Sequence, residues 1–365
     1  MVLKKKRIIF FIGRLGFGGA ERVLVYLANE FSKNSHDIHV ILLAKSKESV
    51  FHIHPEIKVH NVFTTGNKLT RSIKRFFAIR NYVKEINPTI VISFLTSVNV
   101  NIATAMIGLK IPLILSERNN PYTDPKNKML RIWRKLVYRF ADGYVFQTEE
   151  VKDFFSSSIR LKGTIIPNPL HIEEVENWAG NKSGTIVAVG RLVEEKNHKL
   201  LIDAFSKISE EFPLYKLIIY GEGYLRNELT SYINELGLEE KIKLPGVNSN
   251  VLDEIQKANL FVLPSNYEGM PNSLIEAMAL GVPVISTECG GGGPAYLISN
   301  NVNGILVPIN DSIALTRSMK KILSNSNFAF KLGKNAQESI TSRLNKERIF
   351  GLWESYIIQI GSKKS

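Results

Sequence analysis

The sequence predicts an α/β protein built from two doubly wound parallel sheets. Three observations point there. Short apolar runs of four to six residues recur along the chain with amphipathic helical stretches between most of them. Two Gly-containing loops, at Gly13–Gly19 and near Gly190, each follow such a run and lead into a helix. The length of 365 residues suits two domains, and Pro167-Asn168-Pro169 interrupts the pattern near the middle.

In the first half, strands are expected at Arg7–Ile12, His39–Leu43, Ile57–Val62, Ile90–Phe94, Leu113–Ser116, Gly143–Gln147 and Thr164–Ile166. A periodic helix follows the first loop over Ala20–Phe31. The Gly18-Gly19 pair at its start lets backbone come close to a ligand, although a glycine turn after a strand is also ordinary packing. Lys68–Lys84 reads as a basic amphipathic helix. Its apolar side is Leu69, Ile73, Phe76, Phe77, Ile79 and Val83, and Lys68, Arg71, Lys74, Arg75, Arg80 and Lys84 are its basic side. Lys126–Arg139 is a second basic helix, with Trp133 and Tyr138. Such helices suit an anionic membrane surface or a solvated protein face. Glu117-Arg118 follows a strand at the ligand edge, where an ion pair within the protein is as natural as a site role. The linker is expected over Leu170–Gly184.

In the second half, strands are expected at Thr185–Val189, Lys216–Tyr220, Lys241–Leu244, Leu260–Leu263 and Val284–Thr287, and Ser312–Ile360 is helical in pattern. Pro264–Pro283 is the stretch richest in chemistry. A loop carrying Glu268 and Gly269 leads to Pro271-Asn272-Ser273, a helix start, and Gly281 and Pro283 close that helix. Its N-terminus favours an anion. Glu268 before the first turn and Glu276 one turn in are acceptors for hydroxyls. A ligand with central phosphates and hydroxyls at both ends, a sugar nucleotide, satisfies both features. Two solvated acids would also fit that spacing.

Arg191 and Lys196 flank the loop after Thr185–Val189 and can neutralise a diphosphate. The seven aspartates contain no Asp-x-Asp pair for a metal, and the histidines show no ligand spacing, so no metal is expected. His198 reads as a packing residue. Gly221-Glu222-Gly223 is a weak turn signal, and Cys289–Pro294 is glycine-rich after a strand.

The chain resembles the family 4 glycosyltransferases on Glu268-x7-Glu276 with GMPNSLI between the acids and AMALGVPVI after them, and the likeness extends over nearly its whole length. The resemblance implies the two-domain GT-B fold, with two Rossmann-like domains facing a central cleft, and a retaining reaction. It implies an acceptor domain at 1–170, a linker at 171–184, a donor domain at 185–345, and a final helix at 346–365 returning to the first domain with Trp353 and Tyr356. Gly18 and Gly19 would face the donor diphosphate. Gly190, Arg191 and Lys196 would bind it, with Arg191, Lys196 and Glu268 as the catalytic set. Backbone at Val247 would read the base, and Glu276 the ribose. Glu268, Gly269, Met270, Pro271, Asn272 and Ser273 would hold the sugar. Many members have histidine where Arg118 stands, and often glutamate at Tyr296, so a changed role or acceptor is implied there.

Composition sets outer limits. A net charge of +13 and a pI near 9.5 favour anionic partners. Hydrophobic residues make up 44% of the chain, enough for a core, yet no apolar run approaches the ~18 residues of a membrane span. The single cysteine, Cys289, excludes an intrachain disulfide. The Met1–Gly13 stretch reads as a first strand rather than a leader, and the enzyme is expected in the cytoplasm, peripherally on the inner face of the membrane. The overall expectation is a metal-independent, cofactor-free transferase. It would move an N-acetylhexosamine or hexose from a UDP-sugar to a polyprenyl-diphosphate-linked glycan in bacterial polysaccharide or O-antigen synthesis. The alternative is a sugar-nucleotide 2-epimerase of the same fold. Nucleic-acid binding is suggested by charge alone, without aromatics interleaved among the bases, and is not expected.

Overall fold

The computed structural model describes residues 5–16, 18–44, 51–172, 178 and 183–362. Most of the expected linker, at 173–177 and 179–182, lies outside the described residues, as do residues 1–4, Phe17 and the side chains of Lys68 and Leu69. The chain forms two compact units, one of residues 1–169 and 347–365, the other of residues 170–346.

The first unit runs β1 (Arg7–Ile12), α1 (Gly19–Lys33), β2 (Asp37–Leu42), β3 (Lys58–Asn61), α2 (Lys68–Ile86), β4 (Ile90–Phe94), α3 (Thr96–Met106), β5 (Leu113–Ser116), α4 (Lys128–Val137), β6 (Gly143–Phe146), α5 (Glu149–Asp153), α6 (Ser157–Arg160) and β7 (Gly163–Ile165). All strand pairs are parallel, in the order β3-β2-β1-β4-β5-β6-β7. Central strands read as continuous apolar runs because helices cover both faces, and Ile8–Ile12 and Ile90–Phe94 are buried throughout.

The second unit runs β8 (Thr185–Val189), α7 (His198–Ser206), β9 (Lys216–Tyr220), α8 (Arg226–Glu235), β10 (Ile242–Gly246), α9 (Val251–Gln256), β11 (Leu260–Leu263), α10 (Asn272–Ala279), β12 (Val284–Thr287), α11 (Gly293–Leu297), β13 (Ile305–Val307), α12 (Ser312–Leu323) and α13 (Ser326–Arg343). Its sheet is parallel, in the order β10-β9-β8-β11-β12-β13. The three-residue β13 is not among the expected strands, because so short an apolar run carries no period of its own.

The helical tail divides at capping residues. Asp311 accepts from Ala314 N at 2.8 Å and Asn325 from Phe328 N at 2.9 Å, opening α12 and α13. The last helix, α14 (Lys346–Ser362), packs in the first unit. Trp353 stacks on Phe94 with ring centroids 5.7 Å apart. Tyr356 OH accepts from Tyr144 N at 2.8 Å and donates to the carbonyl of Lys162.

The two basic helices fold differently from their sequence pattern. In α2, Ile79 and Val83 are buried, but Ile73 and Phe77, expected on the same inward side, are exposed. In α4 the arrangement is inside out. Arg134 is 2% exposed, donates to the carbonyls of Pro121 and Asp124 at 2.7 and 2.8 Å, and lies over Phe154. Met129, Leu130, Ile132, Trp133 and Leu136 face outward. Carbonyls of the 121–126 loop draw the arginines in and leave the apolar side chains outside. Tyr138, read as part of this helix, is instead wholly buried.

Candidate active site

The chemistry of the second unit gathers where β8 and β11 end. β11 is fully buried and delivers Pro264 and Ser265 into the loop before α10. A parallel bridge between Tyr267 and Gly290, with Glu268 N donating to the Gly290 carbonyl at 2.9 Å, pins this loop to the chain after β12. The glycines there serve that contact. At Gly291, where φ is +93°, a Cβ would lie 2.4 Å from the Glu268 carbonyl, and at Gly293 one would lie 2.1 Å from that of Gly269. The Cys289–Pro294 glycines therefore admit the protein's own backbone.

Glu268 and Glu276 are both 7% exposed, which removes the reading of two solvated acids. Lys196 Nζ donates to Glu268 Oε1 at 2.5 Å, and Ser265 Oγ donates to the same oxygen at 2.6 Å. Oε2 takes neither bond. The expectation assigned Lys196 to phosphate and Glu268 to sugar; the structure joins them as an ion pair. Ser265, wholly buried, had no sequence signal beyond its place three residues before Glu268. α10 begins after Pro271, which offers no capping side chain to the first-turn N–H groups. Ser273 Oγ donates to the Val189 carbonyl at 3.3 Å, tying the tip of α10 to the end of β8. Leu274, Ile275, Ala277 and Met278 anchor the helix in the core, while Asn272 and Ser273 at its tip are partly exposed.

The 190–196 loop is built by the turn after β9. Gly190 N donates to Tyr220 O and Leu192 N to Glu222 O, both at 3.0 Å. A Cβ at Gly221 would lie 1.9 Å from the Gly190 carbonyl, and one at Gly223 2.1 Å from that of Leu192. The weak Gly221-Glu222-Gly223 signal thus marks a support for Arg191. His198 is buried, and its Nε2 lies 3.2 Å from the Arg191 carbonyl. Burial pushes its pKa down to about 4, so near neutral pH the ring is uncharged and Nε2–H donates to that carbonyl. Arg191 itself is exposed, and its guanidinium lies 3.5 Å from the Glu195 carboxylate. Asn266 N donates to the Glu195 carbonyl at 2.8 Å and closes the two loops together. Val247 is 68% exposed just past β10. Cys289 neighbours the pair, and burial with the Glu268 charge raises its thiol to about 12.

The first-unit candidates sit at carboxyl ends of strands. Gly18 caps α1 and Gly19 opens it. A Cβ on Gly18 would come within 2.1 Å of the Glu21 carboxylate, so an acid side chain lies against this turn. Glu117 is wholly buried. Its carboxylate accepts from Thr96 Oγ1 and Asn99 Nδ2, each at 2.8 Å, and from Tyr138 OH. Desolvation raises its pKa. Glu117, expected either in an ion pair within the protein or in a site role as a donor-binding residue, here ties α3, β5 and the turn after α4 together through its carboxylate. No ion pair joins Glu117 to Arg118. Arg118 instead lies against the stacked Phe94 and Trp353 rings, its Cζ 5.1 Å from the Phe94 ring centroid and 5.8 Å from that of Trp353.

Two family models match the chain: "Glycosyltransferase Family 4" over residues 17–174 and "Glycosyl transferases group 1" over 173–339. A Campylobacter jejuni undecaprenol-diphosphate-glycan alpha-1,4-N-acetyl-D-galactosaminyltransferase is 33% identical over 91% of this chain and 93% of its own length. The chain belongs to glycosyltransferase family 4. A second C. jejuni enzyme, an N-acetylgalactosamine-N,N'-diacetylbacillosaminyl-diphospho-undecaprenol 4-alpha-N-acetylgalactosaminyltransferase, is 29% identical over 94% of the chain and 97% of its own length. Among solved structures, Anabaena HepE in complex with UDP and glucose superposes with a TM-score of 0.81 at 20% identity, over 96% of this chain and 98% of HepE. Sucrose-phosphate synthase from Thermosynechococcus elongatus gives 0.83 at 17%, over 98% and 100%. These likenesses establish the GT-B fold of this family 4 glycosyltransferase.

Proposed function

We propose that this glycosyltransferase moves an N-acetylhexosamine or hexose, with retention and without a metal, from a UDP-sugar to a glycan carried on a polyprenyl diphosphate, in bacterial polysaccharide or O-antigen synthesis. The observation that carries the reading is the Lys196 ammonium held on Glu268 beside the uncapped tip of α10. An ammonium has three donors, and one is spent on Glu268. The remaining two meet phosphoryl oxygens. Arg191 adds a planar fork, since its exposed contact with Glu195 contributes at most about 1 kcal/mol and yields readily. Backbone N–H groups at the α10 tip add dipole stabilisation as charge develops on the departing diphosphate. The carboxylate of Glu276, buried one turn into α10, takes the ribose hydroxyls, Glu268 Oε2 and Gly269–Asn272 hold the sugar, and backbone at Val247 meets the base.

The bond between the sugar C1 and the leaving phosphate oxygen breaks. The acceptor oxygen bonds C1 on the same face, and its proton passes to that phosphate oxygen, so UDP leaves and configuration is kept. Protein-borne cations supply the charge stabilisation that a metal supplies elsewhere. The lipid-linked acceptor follows from the relatives' named substrates. Binding of this enzyme to an anionic membrane surface is supported by the outward apolar residues of α4 beside Lys128 and Lys135. No helix among the described residues is long and apolar enough to cross a membrane.

A thermal-shift panel of nucleotide sugars, followed by mass spectrometry with polyprenyl-diphosphate glycans, tests the proposal. One nucleotide sugar raises the melting temperature, and the acceptor gains one or more sugar masses. Formation of an epimer from UDP-sugar alone would replace this reading with the epimerase.

A further inference from the structure

Arg118 is a partly buried guanidinium whose hydrogen-bond partners among the described residues are all neutral. It stands just past β5, at the carboxyl edge of the first sheet, where open α/β sheets take their ligands. Nε donates to Ser116 Oγ at 2.9 Å and Nη1 to Asn168 Oδ1. Both acceptors are neutral, and the Asn168 oxygen is shared with Gln147 Nε2 at 2.9 Å. Nη2 is buried and meets no acceptor among the described residues. No described carboxylate lies within ion-pair distance. The adjacent Glu117 is committed to Thr96, Asn99 and Tyr138.

Arg134 shows what a satisfied buried guanidinium looks like in this unit, with backbone carbonyls taking both terminal nitrogens. Arg118 has no such partner on Nη2. In the same aromatic cluster, Trp353 Nε1 is also a buried donor that meets no acceptor among the described residues. A charged donor left unmet inside a protein is strongly unfavourable. Burial alone lowers the Arg118 pKa to about 9, with no anion to hold it up. Backbone strain gathers at the same edge. Leu95, at the end of β4, has φ +76° and ψ +133°, and its N–H donates to the Ser116 carbonyl at 3.3 Å.

We propose that Arg118 is an oxyanion receptor, its Nη2 taking a phosphoryl or carboxylate oxygen carried by the acceptor. Assigning that oxygen to the acceptor rests on the transferase reading, in which Arg191 and Lys196 of the second unit already serve the donor diphosphate. The two sources are the diphosphate of a lipid-linked glycan and the carboxylate of an acidic sugar.

The test uses the full chain saturated with UDP, so that the donor site is filled. Inorganic pyrophosphate and glucuronate are titrated separately by calorimetry into native enzyme, Arg118→Gln and Arg118→Lys. One of the two anions binds native enzyme, and its affinity falls roughly 10–100-fold in Arg118→Gln while UDP affinity holds within about twofold. Arg118→Lys, which keeps the charge and loses the fork, falls between and carries the test should the glutamine variant melt early. Loss of pyrophosphate identifies a phosphate source, and loss of glucuronate an acidic sugar. The proposal is overturned if neither anion binds native enzyme, if both bind native and variants alike, or if UDP affinity falls by the same factor. Failure of native enzyme to bind UDP would count against the donor reading, and the anion titrations would still report on Arg118.

Discussion

At the scale of single residues, the proposed chemistry turns on the Lys196–Glu268 pair. Lys196→Ala removes the ammonium and leaves Oε1 of the buried Glu268 with the Ser265 hydroxyl. A kcat loss of roughly 10²–10³-fold is expected, in the range for losing one transition-state charge contact. Arg191→Ala falls in the same range, and steady-state kinetics at saturating donor measure both. His198 gives a separate, pH-based prediction. Its folded pKa of about 4 lies below the ordinary 6.5, so between these values the unfolded chain binds the extra proton. Its contribution is therefore complete above pH 6.5 and drains as pH falls towards 4. Melting curves from pH 7 to 4 are expected to fall more steeply for native enzyme than for His198→Asn. Parallel curves for the two proteins would remove His198 from this role. Neither the Lys196–Glu268 bond nor the His198–Arg191 bond was legible in the sequence. Each joins a residue near the end of one strand to a backbone or side chain that only the folded loop brings within reach.

At the scale of elements, strands and helix starts were legible because each is a local signal. Arg7–Ile12, Ile90–Phe94, Leu113–Ser116, Thr185–Val189, Lys216–Tyr220, Leu260–Leu263 and Val284–Thr287 form as expected, since a buried parallel strand is a continuous apolar run with a turn at each end. What the pattern could not give was which side of α4 faces in. Hydrophobic periodicity assumes that apolar residues seek the core, and the carbonyls of residues 121, 123, 124, 125 and 126 instead bind Arg131 and Arg134 there. The outward Ile132 and Trp133 lead to a flotation prediction. Native enzyme is expected to float with anionic liposomes at low salt, and Ile132→Ser with Trp133→Ser is expected to lose at least tenfold in bound fraction while keeping its melting temperature. Equal flotation of the two proteins would assign the face to something other than lipid.

At the scale of the whole molecule, the doubling of one sheet plan was legible from length and alternation, and family membership follows from the sequence relatives. The glycine-rich stretches were legible, but two of them turn out to admit neighbouring backbone: Gly221 against Gly190 and Gly291 against Glu268. Gly333 of α13, which carried no sequence signal, does the same, with a Cβ there lying 1.9 Å from the carbonyl of Gly281 just past α10. Glycine marks proximity without naming the partner. These contacts hold the loops around Arg191 and Glu268 and α10 together within the second unit, the arrangement that the proposed handling of a diphosphate by two cations requires. In the proposed mechanism those cations, and no metal, draw off the leaving group. Single-turnover transfer from the UDP-sugar in excess EDTA measures it most directly. Native enzyme is expected to keep its full rate in chelator while Lys196→Ala drops roughly 10²–10³-fold under the same conditions; a native rate abolished by EDTA and restored by a divalent cation, or a Lys196→Ala rate near native, would contradict it.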